Sequence, residues 1–468
     1  MTRQPVRPLW LLLVAGSIIT SLSLGVRSTF GLFVEPVIET IGVSRGTIGL
    51  SLAIQNLVWG LTQPFAGAVA DRFGTTKVLV TGAGLYAVGL VLMSQATSGA
   101  TFHLSAGLVI GIATGAASFS VVLASVGRMV APSRRSLALG ITTAMGSVGQ
   151  FVLVPVTQRL LEGWDWQQVA VALAGVIAAV IIFAPVFRGS SAEQMEASGE
   201  SSTADGETTV RPLRSELRRA AHSRSYWLLN GAFFVCGFHV TFIAVHLASY
   251  ADQIGQSTRI AAWALSAIGL FNIVGSLTAG ILGGRYRKTR LLTIIYFLRA
   301  VVIGGFILVP ASDSSFLLFG ALIGLLWLST VPLTSGMVVS MFGPAYAGTL
   351  FGIVFLSHQL GAFAGAWLGG TVTERVGSYV PVWWIAVALG LVAAVLHLFI
   401  NEGLQPLPPP PVQNGIRTGV VGAAGAVLLA LLVAGSLGVG QRAASAAVSD
   451  DNHSLLTRTL TWCAGGRG

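Results

Sequence analysis

The sequence predicts an all-α membrane protein with twelve transmembrane helices arranged as two pseudo-repeated bundles of six. Three observations carry that expectation. Charge is scarce, apolar runs of spanning length recur twelve times, and the second half repeats features of the first at a nearly fixed offset.

The scarcity of charge identifies the solvent. Of 468 residues, 53% are hydrophobic and only 9% are charged, with a mean hydropathy of +0.78. Soluble domains carry about 25% charged residues, so a chain of this composition cannot cover itself with a water-facing surface. The 58 glycines fit the same reading, because small residues let helices in lipid approach closely.

A spanning helix needs about 20 apolar residues. Candidate runs lie at 9–34, 46–70, 78–96, 103–127, 137–158, 168–187, 225–250, 260–283, 291–310, 315–341, 347–371 and 380–400. Arg3 and Arg7 before the first run resemble the start of a signal peptide. The run is too long for one and no cleavage pattern follows, so it reads as the first span. Residues 188–224 are polar, serine-rich and then basic, which makes them a linker between an N-terminal bundle (1–187) and a C-terminal bundle (225–400). Residues 401–468 hold a stiff proline run, Pro406 to Pro411, and the uncharged stretch Val420–Val439. That stretch reads either as a thirteenth span or as a loosely associated hydrophobic tail.

The net charge of +10 reflects topology. With the N-terminus cytoplasmic, seventeen Lys and Arg residues fall in cytoplasmic segments, and only Arg45, Arg159, Arg259 and Arg375 fall on the other side. That is the expected bias of inward-facing loops. No basic stripe or motif suggests a nucleic-acid partner, and lipid is the expected surrounding. Cys236 and Cys463 are too far apart for a disulfide framework or a zinc site.

The repeat is visible in two places. Gly67-Ala-Val-Ala-Asp71-Arg72-Phe73 aligns with Gly280-Ile-Leu-Gly-Gly284-Arg285-Tyr286 at an offset of 213, and Gly140-Ile141 with Gly352-Ile353 at 212. A duplicated six-helix unit with a site between its halves is the arrangement this predicts.

The strongest motif is Gly67-x-x-x-Asp71-Arg72-x-Gly74-x-x-Lys77. Gly67 permits close helix approach, Gly74 a tight turn, and Asp71 can accept hydrogen bonds at a helix end or pair with a basic neighbour. The motif resembles the loop signature of the major facilitator superfamily. There, the resemblance implies, it acts as a conformational latch on the cytoplasmic side. The second copy has Gly284 in place of the acid, so the latch should be strong in one half and weak in the other. Leu24-Gly25-Val26-Arg27-Ser28-Thr29-Phe30-Gly31-Leu32-Phe33, and His358-Gln359 followed by Gly361-Ala-Phe-Ala-Gly365, resemble bacterial monocarboxylate-porter-like and oxalate:formate-antiporter-like members. The resemblance covers about residues 8–400. The chain departs from animal monocarboxylate transporters in lacking an acidic start to its first span and in having Asn272 where they carry an Asp/Arg pair. Their proton relay is therefore not transferred.

Several polar residues fall inside spans. Arg27 costs about 2.5–3.5 kcal/mol there on insertion scales, and its planar fork suits a carboxylate; snorkelling to the headgroups is the competing reading. His239 and His246 share a face of the seventh span, and His358 lies near mid-depth of the eleventh beside Gln359. Histidine can relay protons or bind anions, or simply tie helices together. Gln55 and Asn56 offer substrate contact or interhelical bonding. Arg299 reads as structural. Gly107-x-x-x-Gly111-x-x-x-Gly115 and Gly361-x-x-x-Gly365-x-x-x-Gly369 are close-packing stripes. Gly146, Gly149 and Pro155 should interrupt the fifth span. The candidate substrate residues are thus Arg27, Gln55, Asn56, His239, His358 and Gln359.

No nucleotide loop, metal-ligand cluster or nucleophile with its partners is present, so neither an enzyme nor a cofactor is expected. The expected activity is secondary transport of a small organic anion, a monocarboxylate foremost, by alternating access with proton symport or anion exchange in the cell membrane. Efflux of a drug or metabolite, and a non-transporting sensor on the same scaffold, remain as alternatives.

Overall fold

The computed structural model describes residues 8–43, 45–189 and 212–404. The proline run and the Val420–Val439 stretch lie outside the described residues, as do Arg3, Arg7 and most of the linker. Among the described residues there is no strand. Eleven helices have the length and apolar character of a membrane span. They are α1 (Leu9–Phe33), α3 (Thr75–Ser94), α4 (Gly99–Met129), α5 (Pro132–Leu161), α6 (Trp166–Phe187), α7 (Arg224–Gln253), α8 (Arg259–Gly283), α9 (Lys288–Leu308), α10 (Asp313–Phe342), α11 (Ala347–Val376) and α12 (Val380–Leu398). The twelfth is α2 (Arg45–Phe73), 29 residues long. Gln55, Asn56 and Gln63 make it more polar than the others. It can carry them because its neighbours cover them: Gln55 and Gln63 are buried, and Asn56 is half-buried. The outer surface is apolar, with Phe65, Ile182, Leu308 and Leu398 exposed as a lipid-facing shell requires.

Two halves pack against each other through α2 on α11 and α5 on α8. Glycine makes these approaches possible. A Cβ on Gly67 would collide with the Gly348 carbonyl, and Gly140 meets the Gly280 backbone. The stripe of Gly107, Gly111 and Gly115 seats α4 on α2, and Gly361, Gly365 and Gly369 seat α11 on α7.

Two helices are broken at repeat-related positions. In α4 the chain departs from helical geometry at Ala117–Ser118, and Ser118 caps the next segment, Phe119–Met129. In α10 the break falls between Asp313–Leu326 and Thr330–Phe342. The carbonyls freed in α10 are answered by Arg299 of α9. It donates from Nε and Nη2 to the Leu326 carbonyl at 3.1 and 2.6 Å, and from Nη2 also to the Trp327 carbonyl. Its charge sits at a helix C-terminus, where the backbone dipole favours a cation.

The expected interruption of α5 is not found. The helix runs unbroken for 30 residues with Pro155 inside it. Gly146 and Gly149 serve packing instead: the former faces Leu24 of α1 and the latter the Ser21 backbone. Pro155 sits near one end of the helix, where neighbouring groups can accommodate its missing donor. The linker, read as polar throughout, ends in a helix, Leu213–His222. Its buried charges, Glu216 and Arg219, are satisfied in place. Arg219 bonds Glu216 at 2.9 Å and the Met341 carbonyl at the end of α10 at 3.1 Å.

Candidate functional site

At one end of the bundle, rich in basic residues, α2 ends at Gly74 with φ +94°, a conformation that favours glycine. Asp71, one turn earlier, is buried. It accepts from Arg128 Nη1 of α4 at 2.6 Å, and from the first turn of α11 through Gly348 N (3.2 Å), Thr349 N (2.7 Å) and Thr349 Oγ1 (2.7 Å). Arg128 also donates to Thr75 Oγ1 at 2.9 Å. One carboxylate therefore ties α2 and α4 to the opposite half. The pseudo-equivalent place holds Gly284. The Ser136 hydroxyl beside Gly283, at the start of α5, has no hydrogen-bond partner among the described residues. Arg72 stacks over Phe73, and Lys77 is exposed. Tyr346, in the connection to α11, has its phenol pushed up by burial and by the nearby Asp71 and Glu216 carboxylates.

Further along, a second layer crosses the two halves. Arg27 of α1 donates from Nη2 to Asn56 Oδ1 of α2, and its guanidinium lies 4.5 Å from the Trp59 ring centroid. Gln359 of α11 donates to the Asn56 carbonyl at 3.3 Å, and its Oε1 meets His358 Nδ1 at 3.2 Å. Beneath this polar chain lies an aromatic floor. Trp59 contacts Phe355 at 4.9 Å, Phe119 meets Phe355 at 5.4 Å, and Phe355 stacks on His358 at 5.3 Å. Ser147 of α5 accepts from Asn272 of α8 at 2.6 Å in the other interface.

Arg27 has no carboxylate partner among the described residues, and its Nε has no hydrogen bond. Arg27 and Asn56 are half-buried, while His358 and Gln359 are buried. The layer can therefore offer a planar cation with an unused donor, beside an amide and an imidazole, with aromatic faces closing it toward the basic end.

Four of the six candidate substrate residues, Arg27, Asn56, His358 and Gln359, are thus brought together. Gln55 and His239 are not. Gln55 donates to the Ala106 carbonyl of α4 at 2.8 Å. His239 is buried against α12, its Nε2 2.8 Å from the Ala386 carbonyl. His246, on the same helix, meets the Ala366 carbonyl of α11 at 3.0 Å. Sequence reasoning missed Trp59, Phe119 and Phe355, because an aromatic in a span is ordinarily packing. For two of them the signal was spacing from polar candidates: Trp59 lies three residues after Asn56, and Phe355 three before His358.

Twelve spans, duplicated halves and a carboxylate tying them at one end fit the sequence match. The family model of the Major Facilitator Superfamily aligns with residues 16–366 and, in a second match, with 232–449. The chain belongs to the major facilitator superfamily. Among its relatives is an uncharacterized MFS-type transporter, YcxA of Bacillus subtilis, 25% identical over 381 residues, covering 80% of this chain and 90% of the relative. Monocarboxylate transporter 12-B of Danio rerio is 25% identical over 370 residues, covering 72% and 75%. Monocarboxylate transporter 13 of Rattus norvegicus is 24% identical over 400 residues, covering 83% and 89%. Solved structures share the fold. The proton:xylose symporter XylE superposes with a TM-score of 0.68 at 14% identity, covering 85% of this chain and 97% of that one. The human organic anion transporter MFSD10 gives 0.65 at 17% identity, covering 84% and 100%. This major facilitator is thus a multi-pass membrane transporter for a small molecule, resembling the monocarboxylate porters.

Proposed function

We propose that this transporter carries a small organic anion, a monocarboxylate, by alternating access in the cell membrane. The single observation that carries the reading is Arg27. A fixed cation in a span, lacking a carboxylate partner among the described residues and holding an unused Nε donor, is incomplete electrostatically. A ligand carboxylate would complete it through two parallel bonds, one to Nε and one to a terminal nitrogen. Relatives named as monocarboxylate transporters support the class.

In this conformation the halves are joined at the basic end through Asp71 and through the α5–α8 contact. With the basic end cytoplasmic, as inward-facing positive charge favours, access to Arg27 comes from outside. Opening to the cytoplasm requires release of the Asp71 bonds and parting of Trp59 from Phe355. Spans of the described residues offer few acids, so a symported proton rides on His358 or on the substrate itself; anion exchange needs neither. His358 fits that role because it alone of the buried histidines touches the polar layer.

The test is uptake into proteoliposomes. Labelled pyruvate or lactate should enter in exchange for internal carboxylate or down an inward proton gradient, and the corresponding amides should neither enter nor compete. Equal uptake of carboxylates and amides would favour a broad metabolite or drug carrier. Tight binding of a ligand with no transport would favour a sensor.

A further inference from the structure

Away from the central layer, a groove opens sideways between α2, α3 and α4 at the basic end. Its volume is about 410 Å³. Phe65, Val69 and Phe73 of α2 form one wall, Val78 of α3 the other, and Ala116, just before the α4 break, the back. Phe65, Val69 and Phe73 point outward, 72%, 45% and 54% exposed, and leave the groove open.

Its chemistry changes along its length. From Thr62 to Phe73, eleven steps along the helix, the lining is mostly apolar over about 16 Å at about 1.5 Å per residue. That is close to half of a bilayer's hydrocarbon core of about 30 Å. Lys77 sits at the outer end, where α2 turns into α3, with Arg72 close by in sequence on the same turn. Both are exposed, and neither has an acidic partner among the described residues; Arg72's contact is the Phe73 ring. An apolar trough one leaflet deep, ending in two uncompensated cations at headgroup level, is complementary to a molecule with a long apolar chain and an anionic head.

We propose that this groove is a binding site for an anionic phospholipid of the leaflet at the basic end. One acyl chain lies along Phe65, Val69 and Phe73, and the phosphate is held by Lys77 and Arg72. Zwitterionic lipids fill the trough more weakly, since their ammonium offsets the phosphate. The site adjoins Asp71 in sequence, so its occupant borders the segment that ties the halves together. The proposal is independent of the transported substrate.

The experiment titrates the purified full-length chain in detergent with phosphatidylglycerol or chain-matched phosphatidylcholine, counting bound lipids by native mass spectrometry. A basic residue near an anionic surface contributes enough for roughly 5-fold in affinity. Lys77→Gln should therefore weaken phosphatidylglycerol about 5-fold, and the Arg72→Gln, Lys77→Gln pair roughly 25-fold, to the phosphatidylcholine level. Val69→Trp, which fills the trough and leaves the charges, should weaken both lipids. Arg134→Gln, an exposed cation elsewhere on the same end, should change nothing, and glycerol 3-phosphate should not compete. Equal retention of the two lipids by the wild type, or unchanged phosphatidylglycerol binding in the double variant, overturns the proposal. So does an equal loss in Arg134→Gln, which would mean diffuse attraction to a basic surface. The Gln substitutions lie at exposed positions, so the answer does not hinge on whether Val69→Trp folds.

Discussion

Asp71→Asn probes the tie between the halves. Among the described residues the two carboxylate oxygens share four donors, Oδ1 taking Arg128 and Gly348 and Oδ2 taking both groups of Thr349. An asparagine keeps one oxygen and presents an NH₂ where the other stood. If the oxygen stays with Arg128, the NH₂ opposes Thr349 N and that cross-half bond is lost, while the Thr349 hydroxyl can turn to accept. If it flips, the NH₂ opposes Arg128 Nη1 and Gly348 N; in both cases buried Arg128 loses its anion. Either way about two charge-assisted bonds go, each contributing roughly 1.5–3 kcal/mol. In the state open at the basic end these groups are hydrated, so the loss falls mainly on the closed state. A difference of about 3 kcal/mol is roughly a 100-fold shift in the ratio of closed to open. The assay is pulsed electron–electron distance measurement between spin labels on cysteines replacing Arg134 and Tyr286. Both are exposed at the basic end, on opposite halves. Cys463 is replaced by Ser, and buried Cys236 is left in place. Asp71→Asn should move population from the short to a longer distance, with the protein still inserted and folded. An unchanged distribution would refute the reasoning, since the four bonds would then contribute nothing to closure.

Other expectations follow from single contacts. His358→Gln should flatten the pH dependence of uptake if transport is proton-coupled. His239→Gln should leave that profile alone and lower the melting temperature, because its imidazole is bonded to α12 rather than to the polar layer; the reverse outcome would reassign the proton. Gly284→Asp should supply the acid missing from the second half and give the unpartnered Ser136 hydroxyl an acceptor. It should raise the melting temperature and slow turnover, and a variant indistinguishable from wild type would show that the two interfaces are not equivalent.

Much of the fold was legible because bilayers impose simple rules. Runs of about 20 apolar residues, basic loops and the 213-residue offset locate the spans. Even α2 could be placed, since its three amides interrupt an otherwise apolar run. The breaks in α4 and α10 were not legible. The glycine stripe Gly107–Gly115 reads as regular helix, and nothing local marks Ala117 or Trp327 as a departure. The α10 break depends on Arg299, 27 residues earlier, donating to the freed carbonyls. The linker helix Leu213–His222 escaped for the opposite reason, its charges suggesting water until Glu216 and Arg219 are seen paired against α10.

At the site, residue type was informative and direction was not. Charge and polarity inside spans singled out Arg27, Asn56, His358 and Gln359. Gln55 and His239 carried the same signal but face neighbouring helices, a difference of roughly 100° of helical rotation for the adjacent pair Gln55 and Asn56. Only packing decides which of two adjacent amides meets the polar layer. The aromatic floor was hidden for a similar reason, since Trp59 and Phe355 gain their role by meeting across the two halves.

The central claim is that Arg27 is the anchor for a carboxylate, and the direct measurement is the apparent KM of Arg27 variants in proteoliposomes. Arg27→Lys keeps the charge and loses the two-pronged fork; Arg27→Gln loses both. With charge-assisted bonds contributing about 1.5–3 kcal/mol each, Arg27→Gln should raise the apparent KM for carboxylates roughly 10- to 100-fold, and Arg27→Lys by less. Competition by uncharged analogues should scarcely change. If Arg27→Gln instead weakens charged and uncharged ligands equally, Arg27 serves only to hold Asn56 and Trp59 in place, and the organic-anion reading fails.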